Sequence, residues 1–235
     1  MNNTKKILGI LGGMGPQATI DLQQKILNFT DVKLDQEHMR IFVDNHPQVP
    51  DRTSAILNNG ASPVSALMES IHKLESCGVE CIAMPCVTAH YFLSQLEIPP
   101  HILFLNILEI AANVCLSRHS GKTAGILSTP GTAKSGIVAK ELEKAGINYI
   151  KPLDDEQHIL GQLIFDVKAK ADMREIVRKF SIITDEMLAR GAEYFVLACT
   201  EIPIIVQAHS FPYDYVDLTT ELAKAAVKTC GYPCL

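Results

Sequence analysis

The chain has 235 residues, of which 47% are hydrophobic, so it can bury one large α/β core or two smaller ones without disulfide support. Its formal net charge of -5, from 21 basic and 26 acidic residues, argues against nucleic acid as the main partner. No stretch approaches the ~20 apolar residues of a membrane span, and glycines and Pro16 interrupt the first apolar run too early for a secretory signal. We therefore expect no membrane contact and a cytoplasmic location.

Taken in chain order, the predicted elements repeat. Four segments of the first half, each built on a short apolar or β-type run, recur in the same order in the second half. The matched segments are residues 6–15 with 122–131, 41–47 with 148–152, 78–86 with 191–199, and 102–106 with 213–217. The third match needs no gap and keeps Gly, Glu and Cys in register. Each of its copies follows an amphipathic helical pattern, over residues 65–77 and 174–190.

The repeat predicts an α/β fold of two pseudo-symmetric halves, each a parallel sheet covered by helices on both faces. We assign residues 1–110 to the first half, with residues 207–235 returning to it, and residues 111–206 to the second half. Ligands of parallel sheets bind beyond the carboxyl ends of the strands. Two halves that face each other would therefore enclose one active site in the cleft between matched loops. The alternative is a duplication that left symmetry without a shared site.

Cys86 and Cys199 stand at equivalent positions of the repeat, each in the first turn after a strand. The backbone N–H groups and the helix dipole that follow should lower the pKa of such a thiol. A cysteine at a strand end is usually a packing residue, but two in matched positions indicate a pair that works together. Inverting a stereocentre requires one group to remove a proton from one face of a carbon and another to deliver a proton to the opposite face. The pair therefore predicts this kind of proton transfer.

We predict that the chemistry needs neither a cofactor nor a metal. No lysine stands in a recognisable pyridoxal context, and the cysteines lack the paired spacings of a zinc site. The glycines of residues 12–16 lack the G-x-G-x-x-G spacing and the P-loop lysine of nucleotide sites. Capture of a carboxylate by backbone N–H groups suits this loop better. Backbone amides and hydroxyls would then stabilise the developing carbanion.

Five motifs, in order over nearly the whole chain, resemble those of the aspartate/glutamate racemase family, most closely its aspartate racemase branch. They are residues 11–19 (LGGMGPQAT), 50–52 (PDR), 84–90 (MPCVTAH), 129–132 (TPGT) and 199–201 (CTE). The resemblance implies two pseudo-symmetric α/β halves and racemisation of a small-molecule amino acid by Cys86 and Cys199 without pyridoxal phosphate. It also implies a homodimer.

The resemblance assigns roles to further side chains. It places Met14 against the substrate, and Arg52 and Lys168 on the distal carboxylate of an acidic amino acid. The planar fork of an arginine suits a carboxylate, although spacing alone fits a surface arginine paired with Asp51 equally well. One residue departs from the family pattern, because the family usually has asparagine where this chain has Val87. Valine keeps the backbone N–H but loses the amide that helps hold the substrate α-carboxylate.

Hydroxyl groups near the strand ends are candidate donors to the α-carboxylate, although threonines in such loops often only cap helices. These candidates are Thr88, Thr129, Thr132 and Thr200. Glu201 is a candidate supporting residue, because a carboxylate beside the Cys199 thiol would raise the pKa of that thiol.

Three other functions remain open from the sequence. The first is a broad-specificity amino-acid racemase, which the departure at Val87 keeps open. The second is a maleate isomerase or malonate decarboxylase-like reaction in the same fold, and the two intact cysteines argue against it. The third is a catalytically inactive relative that binds a ligand in the cleft.

Overall fold

The computed structural model describes residues 5–235, and within this range the chain forms two four-stranded parallel sheets. The first contains β1 (Leu8–Gly12), β2 (Ile41–Asn45), β3 (Cys81–Ala83) and β4 (Leu103–Leu105) in the order β2-β1-β3-β4. The second contains β5 (Ala124–Ser128), β6 (Tyr149–Ile150), β7 (Tyr194–Ala198) and β8 (Tyr215–Asp217) in the order β6-β5-β7-β8.

The four repeated segments of the sequence fall on matched strands of the two sheets. They correspond to β1 with β5, β2 with β6, β3 with β7, and β4 with β8, and the strand order is the same in both sheets. The predicted duplicated α/β fold is confirmed. In each sheet, all paired strands run parallel, so all their carboxyl ends lie at one edge.

Helices connect the strands. Before β5 the chain contains α1 (Pro16–Phe29), α2 (Arg52–Leu57), α3 (Val64–Ser76), 3-10 segments (Asp35–Glu37 and Thr88–Gln95) and α4 (Ile107–Arg118). The rest are α5 (Pro130–Ser135), α6 (Ile137–Lys144), α7 (Asp154–Lys168), α8 (Met173–Ala189), α9 (Ile202–Gln207) and α10 (Leu218–Thr229). The helical patterns predicted over residues 65–77 and 174–190 match α3 and α8 to within one residue. Among residues 5–235, no helix is long and apolar enough to cross a membrane.

The central strands β1, β3, β5 and β7 are buried on both faces, which explains their near-continuous apolar sequences. Successive side chains of a strand point to opposite faces. Leu8 and Ile10 of β1 belong to one hydrophobic cluster together with Val196 of β7, whereas Leu11 packs in a second cluster with residues of α3. The cluster that contains Leu8 also draws on α1, α4, α6 and α10, so one continuous core joins the two halves.

The end of the chain is tied to both halves. Strand β8 pairs with β7 in the second sheet, whereas α10 packs on α1 and α4. The backbone N–H of Lys6 donates to the carbonyl of Cys230 over 3.0 Å, and Thr30 forms an antiparallel bridge with Cys234. The division into residues 1–110 with 207–235 and residues 111–206 stays a proposal.

Candidate active site

The carboxyl ends of matched strands deliver the predicted side chains to one place. The loop after β1 carries Met14, the loop after β3 carries Cys86, and Thr129 and Cys199 follow β5 and β7 directly. Arg52 opens α2. Because these strands are parallel, their ends converge at one edge of each sheet, and the two edges face one cavity.

The cavity between the halves has a volume of about 30 Å³. Its lining residues are Met14, Asp51, Arg52, Thr53, Cys86, Val87, Thr88, Thr129, Lys168, Ala198, Cys199, Thr200 and Glu201. Every side chain that the sequence suggested lines it except Thr132. Both cysteines are buried at its wall.

Cys199 lies beside a carboxylate. Its Sγ donates to Glu201 Oε2 over 3.0 Å, and the Thr200 hydroxyl donates to the same oxygen over 3.2 Å. Burial, and next the charge of Glu201, raise the pKa of the Cys199 thiol well above its ordinary value, while Lys168 acts in the opposite direction. The lowering expected from backbone N–H groups is therefore wrong for Cys199, because desolvation and a carboxylate outweigh it. The prediction that Glu201 raises the pKa of the Cys199 thiol is confirmed.

Cys86 is held through its backbone by a neutral histidine. His90 is buried, and its Nδ1 lies 2.9 Å from the Cys86 carbonyl. A carbonyl only accepts, so Nδ1 carries the proton and Nε2 accepts from the backbone N–H of Ile107 over 3.4 Å. Burial lowers the pKa of His90 to about 4, and the hydrogen bond to Cys86 offsets part of this effect. His90 thus links the Cys86 loop to the first turn of α4.

Three threonine hydroxyls form a triangle across the two halves. Thr88 Oγ1 lies 3.0 Å from Thr129 Oγ1 and 2.8 Å from Thr132 Oγ1, and Thr129 donates to Thr132 over 3.0 Å. Thr129 also caps α5 by accepting from the backbone N–H of Thr132. Thr88 and Thr129 line the cavity, whereas Thr132 lies behind them. Thr132 can therefore orient the other two hydroxyls but does not face the cavity itself.

Two cations also line the cavity. Arg52 donates from Nη1 to the carbonyls of Val49 and Pro50, both over 3.0 Å, and its buried Nε has no hydrogen-bond partner within residues 5–235. Lys168 Nζ lies 3.6 Å from Glu201 Oε1. Burial acts to lower the pKa of Lys168, but opposing charges, of which that of Glu201 is the largest, outweigh burial and raise this pKa.

Asp51 does not pair with Arg52, which is the alternative that the sequence spacing left open. It caps α2 by accepting from the backbone N–H of Ser54, and in the described part of the chain it forms no ion pair with Arg52. Arg52 lines the cavity while two backbone carbonyls hold its Nη1.

Residues 11–226 match the family model described as Asp/Glu/Hydantoin racemase. The chain belongs to this family. It is 27% identical over 229 residues to the broad specificity amino-acid racemase RacX of Bacillus subtilis (strain 168), covering 95% of this chain and 97% of RacX. Its structure is similar to that of the Picrophilus torridus aspartate racemase, with a TM-score of 0.88 at 34% identity, covering 98% of this chain and 96% of that one.

A more distant relative shares the fold alone. The glutamate racemase of Francisella tularensis superposes with a TM-score of 0.70 at 14% identity, covering 95% of this chain and 80% of that chain. The resemblance on which the sequence analysis relied is therefore confirmed at the level of family and fold.

Within this racemase-family chain, Val87 lines the cavity but also packs into the core that joins the halves. Sequence reasoning missed three lining residues, which are Asp51, Thr53 and Ala198. Each is a chain neighbour of a residue that was identified, Arg52 or Cys199, so adjacency to those positions is the signal that could have found them. Among residues 5–235, no group of three or more His, Cys, Asp or Glu side chains is arranged to hold a metal ion.

Proposed function

We propose that this chain is a cofactor-independent amino-acid racemase that acts on aspartate by a two-base mechanism. The observation that carries the proposal is that Cys86 and Cys199, at matched positions of the repeat, line one cavity between the halves. One cysteine, as thiolate, removes the α-proton, and the other, as thiol, delivers a proton to the opposite face. The stereocentre is inverted, and the two sulfurs have exchanged protonation states.

The hydroxyls and backbone amides of the cavity supply the stabilisation that the carbanion needs. Thr88 and Thr129 lie on one side, and Thr200 lies beside Cys199. Donors aimed at the α-carboxylate stabilise the negative charge that spreads into it when the α-proton leaves. Thr132 sets the orientation of the first two hydroxyls.

The preference for aspartate rests on Arg52 and Lys168, which present two cations to a distal carboxylate. Asp51 and Glu201 in the same lining bring the formal charge of the four side chains to zero. The structural similarity to an aspartate racemase supports the acidic substrate. The second candidate, a broad-specificity racemase, is favoured by the neutral lining, by the apolar side chain of Val87 and by the similarity to RacX.

Cys86, Cys199 and Glu201 are each only 6% exposed, so we infer that the cleft between the halves widens to admit the substrate. The contact that must open includes α2 of the first half and α5 of the second. There Gly131 packs so tightly that a Cβ on it would lie 2.8 Å from Thr53 Oγ1. Closure after binding would remove water from the reacting carbon.

The decisive experiment incubates the purified chain with L-aspartate in D2O without added cofactor. We expect D-aspartate, seen by chiral chromatography, with deuterium at the α-carbon, seen by mass spectrometry. Cys86→Ser and Cys199→Ser should each lower kcat/KM by at least about 10²-fold. The matched control is Cys77→Ser, since Cys77 is exposed and far from the cavity lining, and its activity should equal that of the wild type.

Substrate choice is tested on a panel of the twenty amino acids together with maleate and a substituted malonate. If Arg52→Ala loses activity only on acidic amino acids, the aspartate assignment stands, whereas equal losses on neutral substrates favour broad specificity. Turnover of maleate or malonates alone would move the chain to those reactions. Absence of α-proton exchange with every amino acid, while a ligand still raises the melting temperature, would reduce the chain to a binding protein.

The homodimer and the cytoplasmic location implied by the sequence also remain proposals. Sedimentation equilibrium of the full chain at several concentrations tests the first, and a single species of monomer mass would refute it.

A further inference from the structure

The two halves of the candidate site differ in charge at one matched position. The repeat aligns Cys86, Val87 and Thr88 with Cys199, Thr200 and Glu201. A neutral hydroxyl in the first half therefore takes the place of a carboxylate in the second. A racemase needs two groups that exchange roles, so a built-in difference between them has a mechanistic consequence.

In the second half, the carboxylate is buried and fully engaged. Glu201 Oε2 accepts from Cys199 Sγ and from the Thr200 hydroxyl, and Oε1 lies 3.6 Å from Lys168 Nζ. The thiol proton of Cys199 is what makes the 3.0 Å contact favourable. Without that proton, two negative groups would lie 3.0 Å apart in a site of low dielectric.

In the first half, the corresponding hydroxyl is engaged elsewhere. Thr88 is hydrogen-bonded to Thr129 and Thr132 in the second half. The carbonyl of Cys86 accepts from neutral His90. In residues 5–235, no hydrogen bond joins Cys86 Sγ to a carboxylate. The penalty that a thiolate meets at Cys199 is therefore absent at Cys86.

We propose that Glu201 is a positioning residue that keeps Cys199 protonated at rest, so that the resting enzyme carries its thiolate on Cys86. The proposal rests on the proposed racemase function and adds a direction to it. In the first half-reaction, Cys86 takes the α-proton as its S–H bond forms and the C–H bond breaks. Cys199 then gives its proton to the opposite face and becomes the thiolate. The resting form returns when a proton moves from Cys86 to Cys199 through solvent.

Lys168 modulates this asymmetry. The charged groups that face Cys199 are Glu201 on its own loop, Lys168 at the end of α7, and Asp51 and Arg52 at the start of α2. Glu201 contacts the sulfur directly and Lys168 acts with opposite sign, in agreement with the direction in which each moves the pKa of Cys199. The two side chains should therefore shift the reactivity of Cys199 in opposite directions when removed.

The consequence for turnover is that the two enantiomers meet different enzyme forms. The enantiomer whose α-proton faces Cys86 finds the resting form ready to react. The other enantiomer needs the form with a Cys199 thiolate, which is the minor one at rest. Its reaction should therefore start more slowly from free enzyme.

The test measures thiolate character directly and needs no turnover. The full chain, freed of reductant, is treated with limiting iodoacetamide between about pH 6 and about pH 9, and modification of each cysteine is followed by peptide mass spectrometry. Both site cysteines line one cavity and are equally buried, and exposed Cys77 reports on the reagent. In the wild type at neutral pH, we expect Cys86 to react at least about tenfold faster than Cys199.

Two variants sharpen the test. Glu201→Gln should raise the Cys199 rate about tenfold and move its pH midpoint down, whereas Lys168→Gln should lower the rate and move the midpoint up. Glu201→Asp keeps the carboxylate and should stay close to the wild type. If Glu201→Gln does not fold, as judged by circular dichroism, Lys168→Gln still carries the prediction.

Equal rates at Cys86 and Cys199 in the wild type would overturn the proposal. So would variants at Glu201 and Lys168 that shift the Cys199 midpoint in the same direction or leave it unchanged. The D2O assay separates this outcome from a failure of the proposed function. If Cys86 reacts faster than Cys199 but no racemisation is seen, the charge asymmetry stands and the racemase function is rejected. If the two cysteines react equally but racemisation is seen, the racemase function stands and the charge asymmetry is rejected.

Discussion

Replacing Lys25 with methionine should destabilise the protein strongly, because this lysine is a buried cation between two carboxylates. Its Nζ lies 2.7 Å from Asp21 Oδ2, one turn earlier on α1, and 2.7 Å from Asp217 Oδ2 at the end of β8. The side chains of Lys25 and Asp217 are only 11% and 8% exposed, whereas that of Asp21 is 32% exposed. Methionine keeps the length of the stem and removes only the charge.

The expected loss in the free energy of unfolding depends on how Asp217 is left once Lys25 is replaced. Removing one partner of a buried ion pair costs ~3–5 kcal/mol, because the other charge is left buried. Asp217 would still accept from the backbone N–H of Thr219 and from the Thr220 hydroxyl, over 2.9 and 2.6 Å. The free energy of unfolding should therefore fall by about 3 kcal/mol, near the lower end of that range. Tm should drop by about 6–12 °C.

The measurement is urea unfolding at neutral pH, where the pair contributes fully. Burial acts to lower the pKa of Lys25, but Asp217 and Asp21 outweigh it and raise this pKa above 10.5. Because the pKa of Lys25 is raised, the ion pair stabilises the folded protein at neutral pH, and this stabilisation is lost only as the pH rises through the pKa of the folded state. Adding Asp217→Asn to Lys25→Met should recover at least about 1 kcal/mol, because the unpaired buried charge is gone.

Lys73→Met is the matched control, since Lys73 contacts Glu69 one turn earlier over the same 2.7 Å, but both side chains are 57% exposed. Its urea midpoint should equal that of the wild type. A Lys25→Met protein that unfolds at the wild-type midpoint, with an unchanged slope, would refute the argument that burial makes the difference.

Two further predictions concern side chains around the cavity. His90 should make the protein less stable in acid by about 3 kcal/mol, because its pKa is about 4 when folded and 6.5 is its ordinary value. The free energy of unfolding is unaffected by His90 above about pH 6.5 and falls as pH drops toward 4, because the unfolded chain binds a proton that the folded chain does not. In urea unfolding at several pH values, the stability of His90→Gln should therefore depend less on acid pH than that of the wild type. Parallel curves for the two proteins would contradict the assignment. Thr132→Val should lower kcat/KM for racemisation about tenfold by freeing the other two threonine hydroxyls, and Thr132→Ser should restore it. A Thr132→Val enzyme with wild-type kinetics would show that the triangle has no part in binding.

The sequence predicted the architecture and most of the candidate site for a simple physical reason. Parallel strands place all their carboxyl ends at one edge, so residues at matched positions after matched strands must face the same cleft. This places Cys86 and Cys199 at one cavity although they lie far apart in the chain. The repeat also predicts that the two halves share one strand order, because a duplicated unit folds the same way twice, whereas the order itself came from the structure.

Tertiary structure alone decided how the side chains are paired. Thr132 fits the sequence pattern of a substrate contact, but the packing of α5 turns it behind Thr88. The upward shift of the pKa of Cys199 depends on its burial and on a 3.0 Å contact, neither of which spacing determines.

The ion pair of Lys25 and Asp217 spans 192 residues, and nothing in either local segment predicts it. The helices, the strands and their duplication follow from periodicity and repetition, which are properties of the chain itself. Charge pairing follows from which side chains meet in a low-dielectric interior, and that is known only after the helices have packed.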